Sequence, residues 1–202
     1  MRGVEQIPWL YDAFCAVAER FGLQRWRRWL VGGARGRTLE VGCGTGRNLP
    51  LYPPGSRVIA IELWASTLAR ARRRAPSAAL VQASAEALPF RASVFDTVVS
   101  GLVFCSVTDV DTGLAEVRRV LRPDGSLRMI EHVRSTRPWK ARFQDRFERA
   151  WRRFTGGCHW NRDTEAAVRR AGFAIDAATL RARGEMRRFA AKPLTSPGTM
   201  TP

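Results

Sequence analysis

At residues 39 to 48 the chain reads LEVGCGTGRN, in which three glycines, Gly42, Gly44 and Gly46, follow directly on an apolar run that carries one acid, Glu40. Glycines at this spacing behind a short apolar run are typical of a turn that ends a buried strand and opens a helix. The free backbone N–H groups of such a turn can approach a ligand closely. The stretch therefore predicts a ligand-binding loop at the carboxyl end of the first strand of a sheet.

Four further short runs rich in Val, Ile and Leu follow this loop, and they read RVIAIEL, AALVQAS, FDTVVSGLVF and GSLRMIEHV. Helical apolar spacing separates several of them, notably over residues 63–75 and 110–121. Short apolar strands that alternate with helices favour a parallel sheet covered on both faces. The predicted fold class is therefore α/β and Rossmann-like, preceded by two helices within residues 5–31 that are separated at Gly22.

A chain of 202 residues with 45% hydrophobic content is long enough for one substantial core. We predict a single domain over residues 1–192, made of an N-terminal helical lid (1–34), a cofactor-binding core (36–133) and C-terminal helices and last strands (134–192). Residues 193–202 are expected to form a disordered tail, because they combine Pro, Ser, Thr and Gly without a core pattern.

The chain is strongly basic, with 34 Lys and Arg against 18 Asp and Glu and a formal net charge of +16. Nearly all of the basic residues are arginines in an alanine-rich chain, which is typical of a GC-rich coding bias. We therefore expect mostly a solvated basic surface, and an anionic partner stays open. The sequence has neither a long apolar run nor a secretory signal pattern, so we expect a cytoplasmic protein.

The four cysteines, at 15, 43, 105 and 158, form no Cys-x-x-Cys pair. This spacing predicts buried free thiols, with no metal site and no disulfide framework.

Two acids indicate the ligand class. Glu40 inside the strand end would repel a pyrophosphate, which favours a ligand with a positive or zwitterionic group. Glu62 ends the next strand about twenty residues later, where a carboxylate can accept both hydroxyls of a ribose. S-adenosylmethionine combines an α-ammonium with ribose hydroxyls, so it is the predicted cofactor.

The stretches LEVGCGTGRNLPLYP, AEALPF and FDTVVSGLVFCSV, with AEVRRVLRPDGSLRMIEHV, resemble class I S-adenosylmethionine-dependent methyltransferases. The resemblance is to the ubiquinone/menaquinone C-methyltransferase-like group, which includes bacterial phospholipid N-methyltransferases. The segments EHVRS, GGCHWNRDT and AGF are similar, more narrowly, to the mammalian methyltransferase-like thiol S-methyltransferases and their bacterial relatives. The resemblance covers residues 36 to about 175.

This resemblance implies a seven-stranded sheet with its last strand antiparallel, for which 173–180 and 185–191 are the candidate segments. It also implies a set of cofactor-binding residues. The expected set is Glu40, Gly42, Cys43, Gly44 and Gly46 at the methionine part, Glu62 and Leu63 at the ribose and adenine edge, Ser84, Ala85 and Glu86 along the adenine, Ser100 and Leu102 at the end of the fourth strand, and Asn48 after the glycine loop. Family members often carry Asp where Ser84 stands.

Methyl transfer is an in-line displacement, so positioning can supply most of the catalysis. An amine or thiol acceptor must still lose a proton, and the two histidines, His132 and His159, are the candidate bases. For each of them a structural hydrogen-bonding role is the alternative. Tyr11 of the YD pair is a third candidate site residue, expected near the carboxylate of the cofactor.

The predicted function is a methyltransferase that acts on an amine or thiol of a small-molecule or lipid acceptor. Three arginine-rich amphipathic segments favour an acceptor reached at an anionic membrane face, so the main prediction is a phosphatidylethanolamine-type phospholipid N-methyltransferase. A small-molecule thiol S-methyltransferase is the alternative. A nucleic-acid methyltransferase and a non-catalytic cofactor-binding protein are disfavoured, and the oligomeric state stays open. Within residues 138–154, the aromatic stripe is expected to be core rather than membrane contact.

Overall fold

The computed structural model describes residues 3–4 and 7–194, and its strands form one mixed sheet. The strands are β1 (Arg37–Val41), β2 (Arg57–Glu62), β3 (Ala79–Gln82), β4 (Phe95–Gly101), β5 (Leu121–His132), β6 (Phe173–Ile175), β7 (Arg181–Arg183) and β8 (Met186–Pro193). Their order is β3-β2-β1-β4-β5-β8-β6, with β7 paired to β8. The first five strands pair in parallel, and β8 runs antiparallel to β5.

The predicted Rossmann-like fold and its antiparallel last strand are confirmed. The structure adds β7, a three-residue strand that extends the seven-stranded arrangement by pairing with β8. The predicted tail is wrong at its first two positions, because Pro193 ends β8 and the Leu194 N–H donates to the Gly172 carbonyl at 2.8 Å. The rest of that tail, 195–202, lies outside the described residues.

The described residues form six α-helices: α1 (Pro8–Ala18), α2 (Gln24–Gly32), α3 (Ala65–Arg74), α4 (Val110–Val120), α5 (Pro138–Thr155) and α6 (Thr164–Arg170). The predicted break between the first two helices is confirmed, since Gly22 has a φ of 104° in the kinked segment between them. Within the part of the chain that the structure describes, every helix is too short or too polar to cross a membrane.

Strand periodicity explains why both faces of the sheet are buried. Val98 of β4 and Met129 of β5 join the core on the face of α4 and α6, whereas their successors Val99 and Ile130 join the core beneath α2. Successive side chains of a strand point to opposite faces, so an unbroken apolar run supplies both cores. Because β1 to β5 run in parallel, their carboxyl ends lie at one edge of the sheet.

The expectation that the aromatic stripe of α5 forms core is wrong for four of its five members, whereas the fifth, Trp151, is partly buried and stacks on Trp160 with ring centroids 4.4 Å apart. Trp139, Phe143 and Phe154 are 64%, 52% and 62% exposed, and Phe147 is 47% exposed. The helix packs instead through the side that carries Ala141, Gln144 and Thr155, whose side chains are buried. The helical spacing of the aromatic residues identified one face of α5 but not the face that packs. The packed face is the one on which the Gln144 side chain donates to the carbonyls of Val133 and Trp160.

Candidate active site

A cleft of about 530 Å³ opens at the carboxyl ends of β1, β2 and β4. Its size is ordinary for a small-molecule site, and its position is the one where α/β sheets bind ligands. The wall includes the glycine loop, the ends of β2 and β3, the turn after β4 and the segment that follows α5. Its lining residues are Tyr11, Gly42, Gly44, Ile61, Glu62, Leu63, Trp64, Thr67, Ala83, Ser84, Ala85, Glu86, Gly101, Leu102, Val103, Ser106, Val107, Thr108, Arg152, Gly156, Gly157, His159 and Arg162.

The glycine loop has a conformation that other residues would strain. Gly42 and Gly44 have φ values of 63° and 56°, and a Cβ atom on Gly42 would lie 2.6 Å from the side chain of Val103. Glu62 accepts hydrogen bonds of 3.0 Å from the backbone N–H groups of Gly44 and Trp64. Burial raises the pKa of the Glu62 carboxyl, against the opposing effect of these N–H groups. The acid thus fixes the loop to the end of β2.

The predicted cofactor residues fall into two groups. Eight of them line the cleft, namely Gly42, Gly44, Glu62, Leu63, Ser84, Ala85, Glu86 and Leu102. The other five, Glu40, Cys43, Gly46, Asn48 and Ser100, lie behind the wall. Glu40 does not reach the cleft because it is fully buried and accepts a 2.8 Å hydrogen bond from Asn48. These five support the wall in this structure, and their contact with a cofactor stays a prediction.

Glu40 is also an electrostatically unusual group. Burial raises the pKa of its carboxyl from 4.5 to about 6, although Asn48 and Tyr52 act in the opposite direction.

The N-terminal helix α1 covers the glycine loop. Tyr11 lines the cleft, and its ring faces Gly44, where a Cβ atom would lie 3.9 Å from the Tyr11 Cε1 atom. The neighbouring Asp12 is buried and holds the cover in place. Its carboxylate accepts from Thr45 at 2.7 Å and pairs with three arginines, Arg47, Arg70 and Arg74. Burial opposes ionisation, yet hydrogen bonds from these four residues hold the pKa of Asp12 well below its usual range.

Ser84 and Glu86 form a small polar unit at the end of β3. The Ser84 hydroxyl donates to Glu86 at 3.2 Å, and the other Glu86 oxygen accepts from the Asp109 N–H at 2.6 Å. Sequence reasoning missed Trp64, a half-exposed indole side chain that also lines the cleft. Its position directly after Glu62 and Leu63 was the available signal.

The opposite end of the cleft is lined by His159 with Arg152 and Arg162. The His159 Nδ1 atom lies 2.8 Å from Glu148 Oε1 of α5. Burial, followed by the charge of Arg162, lowers the pKa of His159, whereas Glu148 acts to raise it. Arg162 is held in place because it donates to the carbonyls of Phe104 and Val107 at 2.8 and 2.6 Å. Sequence reasoning missed both arginines, although Arg162 belongs to the GGCHWNRD segment.

Glu131 shapes the turn after β4, a role that sequence reasoning also missed. Its fully buried carboxylate accepts from the backbone N–H groups of Val103, Phe104 and Cys105 at 3.0 to 3.1 Å. Burial raises the pKa of Glu131 against the opposing effect of these N–H groups. One acid at the end of β5 thereby orders the turn that forms this part of the cleft wall.

His132, the other predicted base, does not line the cleft. Its Nδ1 atom lies 3.8 Å from the Cys158 sulfur, and Cys105 completes a compact group with them. Hydrogen bonds from Cys105 and His132 lower the pKa of Cys158 despite its burial. The prediction of four buried free thiols is confirmed, but the sequence did not indicate that two of them meet beside a histidine.

Comparison with known proteins agrees with this geometry. The sequence profile described as "Methyltransferase domain" matches residues 39–129. The chain is 36% identical to thiol S-methyltransferase TMT1A of Homo sapiens over 143 residues, which is 67% of this chain and 59% of that protein. It is 35% identical to the phosphatidylethanolamine N-methyltransferase of Cereibacter sphaeroides over 135 residues, or 63% of this chain and 64% of that protein. The chain thus spans about three fifths of the length of these curated relatives.

Solved structures share the fold at low sequence identity. The YcgJ protein of Bacillus subtilis has a TM-score of 0.67 and 16% identity, with 81% of this chain and 94% of that chain covered. A SAM-dependent methyltransferase from Thermotoga maritima has a TM-score of 0.64 and 19% identity, with 90% and 97% covered.

The cleft fits S-adenosylmethionine on observations of this chain alone. Gly42 and Gly44 leave open backbone where a side chain would intrude, and Glu62 places a carboxylate on the wall at the end of β2. Ile61 and Leu63 flank that carboxylate with apolar surface suited to a purine. With this cleft, the matching profile and the shared fold, the region over residues 39–129 is a class I S-adenosylmethionine-dependent methyltransferase domain, and S-adenosylmethionine is the methyl donor of that class.

Proposed function

We propose that this protein is a thiol S-methyltransferase that methylates the sulfur of a small thiol. The observation that carries the proposal is the end of the cleft where His159 lies with Arg152 and Arg162. We refer to these three residues as the acceptor end. The similarity to thiol S-methyltransferases, which exceeds the similarity to the phospholipid enzyme, supports the same assignment.

Two arginines at the acceptor end favour a sulfur acceptor over an amine. A thiol becomes a good nucleophile when it loses its proton, and nearby positive charge lowers the pKa of a thiol. The same charges oppose the approach of an ammonium group, which is the resting form of a primary amine at neutral pH. The side-chain charges therefore match a thiolate better than the phosphatidylethanolamine head group of the main sequence prediction.

His159 supplies the site that takes the thiol proton. The negative charge of the Glu148 carboxylate, 2.8 Å from Nδ1, favours a proton on that nitrogen, and the neutral ring then has its lone pair on Nε2. Since the imidazole lines the cleft, Nε2 can accept a proton from an acceptor placed at this end. Glu148 acts as a positioning residue for this ring.

The remaining residues bind, orient and exclude water. S-adenosylmethionine, when bound, supplies an electrophilic methyl group on its sulfonium sulfur. Glu62 holds the nucleoside end of the cofactor, the glycine loop holds its methionine part, and Tyr11 covers the loop. Because the Asp12 network keeps α1 on the loop, the cover keeps solvent from the reacting atoms.

A phosphatidylethanolamine-type N-methyltransferase is the second candidate, and the α5 surface favours it. The aromatic face of α5, which consists of Trp139, Phe143, Phe147 and Phe154, is exposed beside Arg142, Arg146 and Arg153. Exposed aromatic side chains with flanking arginines suit an interfacial helix on an anionic membrane.

Parallel acceptor assays with labelled S-adenosylmethionine test the proposal. One series uses a panel of small alkyl and aryl thiols, and the other uses phosphatidylethanolamine in anionic vesicles. We expect label in an extractable thioether, with a rate that saturates in thiol concentration. Label confined to the lipid phase would reject the thiol proposal in favour of the second candidate, and Glu62→Ala in both series separates enzymatic transfer from background alkylation.

A further inference from the structure

Two cysteines and a histidine converge beside the acceptor end of the cleft. They are Cys105 in the turn after β4, His132 at the end of β5 and Cys158 in the segment after α5, and we call them the Cys–His cluster. One ligand atom from each lies within 4.8 Å of the other two, and the Cys158 sulfur lies 3.8 Å from His132 Nδ1. Both cysteine side chains are 1% exposed, so the sulfurs are shielded from bulk solvent.

These separations are close to those of ligands around one metal ion. A tetrahedral zinc ion holds sulfur at about 2.3 Å and imidazole nitrogen at about 2.0 to 2.1 Å. Ligand atoms on such an ion are therefore about 3.6 to 3.8 Å apart. The cluster needs movements of at most about 1 Å to reach this geometry, which side-chain rotation within the turn can supply.

The donor set is selective for a thiophilic metal. Thiolate sulfur and imidazole nitrogen suit Zn²⁺ and disfavour Mg²⁺ and Ca²⁺, which prefer oxygen. Two thiolates with a neutral imidazole would balance the double positive charge, so the buried site would carry no net charge. Each coordinating thiol would release its proton to solvent when the metal binds.

We propose that Cys105 Sγ, Cys158 Sγ and His132 Nδ1 bind one Zn²⁺ ion, with a fourth position open to an exchangeable ligand. Three protein ligands with one open position are the arrangement of zinc sites that bind substrate or water, whereas structural sites are closed by four. The ion would tie together the turn after β4, the end of β5 and the segment after α5.

The place of the cluster suggests what occupies the fourth position. Cys105 directly precedes Ser106, and Cys158 lies between Gly157 and His159. Ser106, Gly157 and His159 all line the cleft. An acceptor thiol that enters this end could bind the ion as a thiolate, with its proton released to solvent. This part rests on the proposed function, whereas metal binding itself does not.

Metal content and cobalt substitution test the proposal. The protein is purified with a reducing agent and supplemented zinc, dialysed, and its bound metal is measured by mass spectrometry. We expect about one zinc ion per chain in the wild type, less than one tenth of that in Cys105→Ser and Cys158→Ser, and an unchanged amount in Cys15→Ser. Cys15 is a matched control because it is another buried thiol, away from the cluster.

Cobalt(II) added to the metal-free wild type reports the ligands without any assay of activity. We expect sulfur-to-cobalt charge-transfer absorption, which is lost in the two serine variants and shifts when 2-mercaptoethanol is added. His132→Gln should weaken cobalt binding at least about tenfold, because loss of an imidazole ligand removes one of three protein bonds to the metal.

A reduced, folded wild type that binds no zinc and gives no charge-transfer band overturns the proposal. It is also overturned if both serine variants retain the full zinc content. Thiol methylation by a metal-free protein would leave the proposed function intact, whereas zinc binding without thiol methylation would leave the metal site intact. A cobalt spectrum unchanged by thiol would remove the open position alone.

Discussion

The carboxylate of Asp12, on the helix that covers the cleft, accepts a 2.7 Å hydrogen bond from the hydroxyl of Thr45, inside the glycine loop. The two residues are 33 positions apart, and this contact joins the cover directly to the cofactor loop. Arg47, Arg70 and Arg74 surround the same carboxylate. The position of the cover is thus linked to the conformation of the loop that it covers.

Asp12→Asn tests this link. The amide keeps the size of the carboxylate but leaves three arginines without their charge partner, so we expect a loss of about 1 to 3 kcal/mol in the free energy of unfolding. Because the folded pKa of Asp12 is depressed, its contribution is complete above about pH 4 and declines as the pH falls. Urea unfolding at pH 7 and pH 3 measures both effects, and an equal difference between the proteins at the two pH values would contradict the assignment.

Glu62→Ala should abolish cofactor binding. Removing the carboxylate frees the N–H groups of Gly44 and Trp64 and deletes the predicted ribose contact, so we expect affinity for S-adenosylmethionine to fall at least about 100-fold. Isothermal titration calorimetry measures it. Glu116→Ala is the control, since that carboxylate also accepts a backbone N–H, from Leu88, but lies outside the cleft. Comparable losses in both variants would indicate general destabilisation.

His159→Gln should reduce kcat for thiol methylation about 100-fold, because the variant lacks a group able to take the acceptor proton. Glu148→Gln should have a smaller effect, since it weakens the preference for a proton on Nδ1 but leaves the imidazole in place. Steady-state kinetics against thiol concentration separates kcat from KM. Asp145→Asn, also on α5, provides the control, because Asp145 pairs with Arg134 and does not line the cleft. A His159→Gln enzyme with wild-type kcat would exclude the proton-accepting role.

Glu40→Gln should change the pH dependence of stability. An acid whose pKa is raised on folding stabilises the folded state where it is protonated. For Glu40 this contribution is complete below the unfolded pKa of 4.5 and is lost as the pH rises through the folded pKa of about 6. The glutamine keeps an acceptor for Asn48 and does not ionise. We therefore expect the wild type to lose about 2 kcal/mol relative to the variant between pH 4 and pH 7.5. Urea titrations of both proteins at the two pH values measure this difference. An equal change in the free energy of unfolding of the two proteins would refute the expectation.

The exposed aromatic face of α5 should be dispensable for folding. We expect the double variant Trp139→Ser, Phe154→Ser to unfold within about 0.5 kcal/mol of the wild type, because both side chains are mostly exposed. If the face contacts lipid, sedimentation with anionic vesicles at low salt falls in the variant. Phe104→Ser is a control for the stability measurement, since that ring is fully buried and its loss should be severe. Absence of wild-type sedimentation would contradict membrane contact.

The sequence predicted the features that depend on local pattern. Strand runs, the glycine turn and the acid at the end of β2 are all encoded within a few residues, so the fold and the position of Glu62 followed from them. The side on which α5 packs was not encoded in this way, because its aromatic periodicity describes one face without saying what that face meets. The bond network of Gln144, a polar residue, decides it.

Long-range convergence was also beyond sequence reasoning. The members of the Cys–His cluster are 26 or more residues apart in sequence. They meet because β4 pairs with β5 and the segment after α5 folds back onto both strands. Likewise, Glu131 reads as one acid in a strand, and its three bonds to the turn after β4 become visible only when the two strands pair. Glu40 shows another limit: its place in the motif predicts a ligand contact, which stays a prediction, but no local pattern indicated its buried hydrogen bond from Asn48.

The cover α1 places apolar side chains toward solvent and its charged side chain toward the protein, the opposite of an ordinary surface helix. Its Trp9, Phe14 and Val17 side chains face outward, while its charged residue, Asp12, faces inward among arginines. Charge attraction at Asp12 therefore contributes to holding it closed, and mobile ions weaken charge attraction at partly exposed groups. Rising ionic strength should therefore open the cover more often and increase the rate at which the demethylated cofactor dissociates. If product release limits turnover, kcat should increase with moderate salt and fall only at higher salt, where the cofactor binds too weakly.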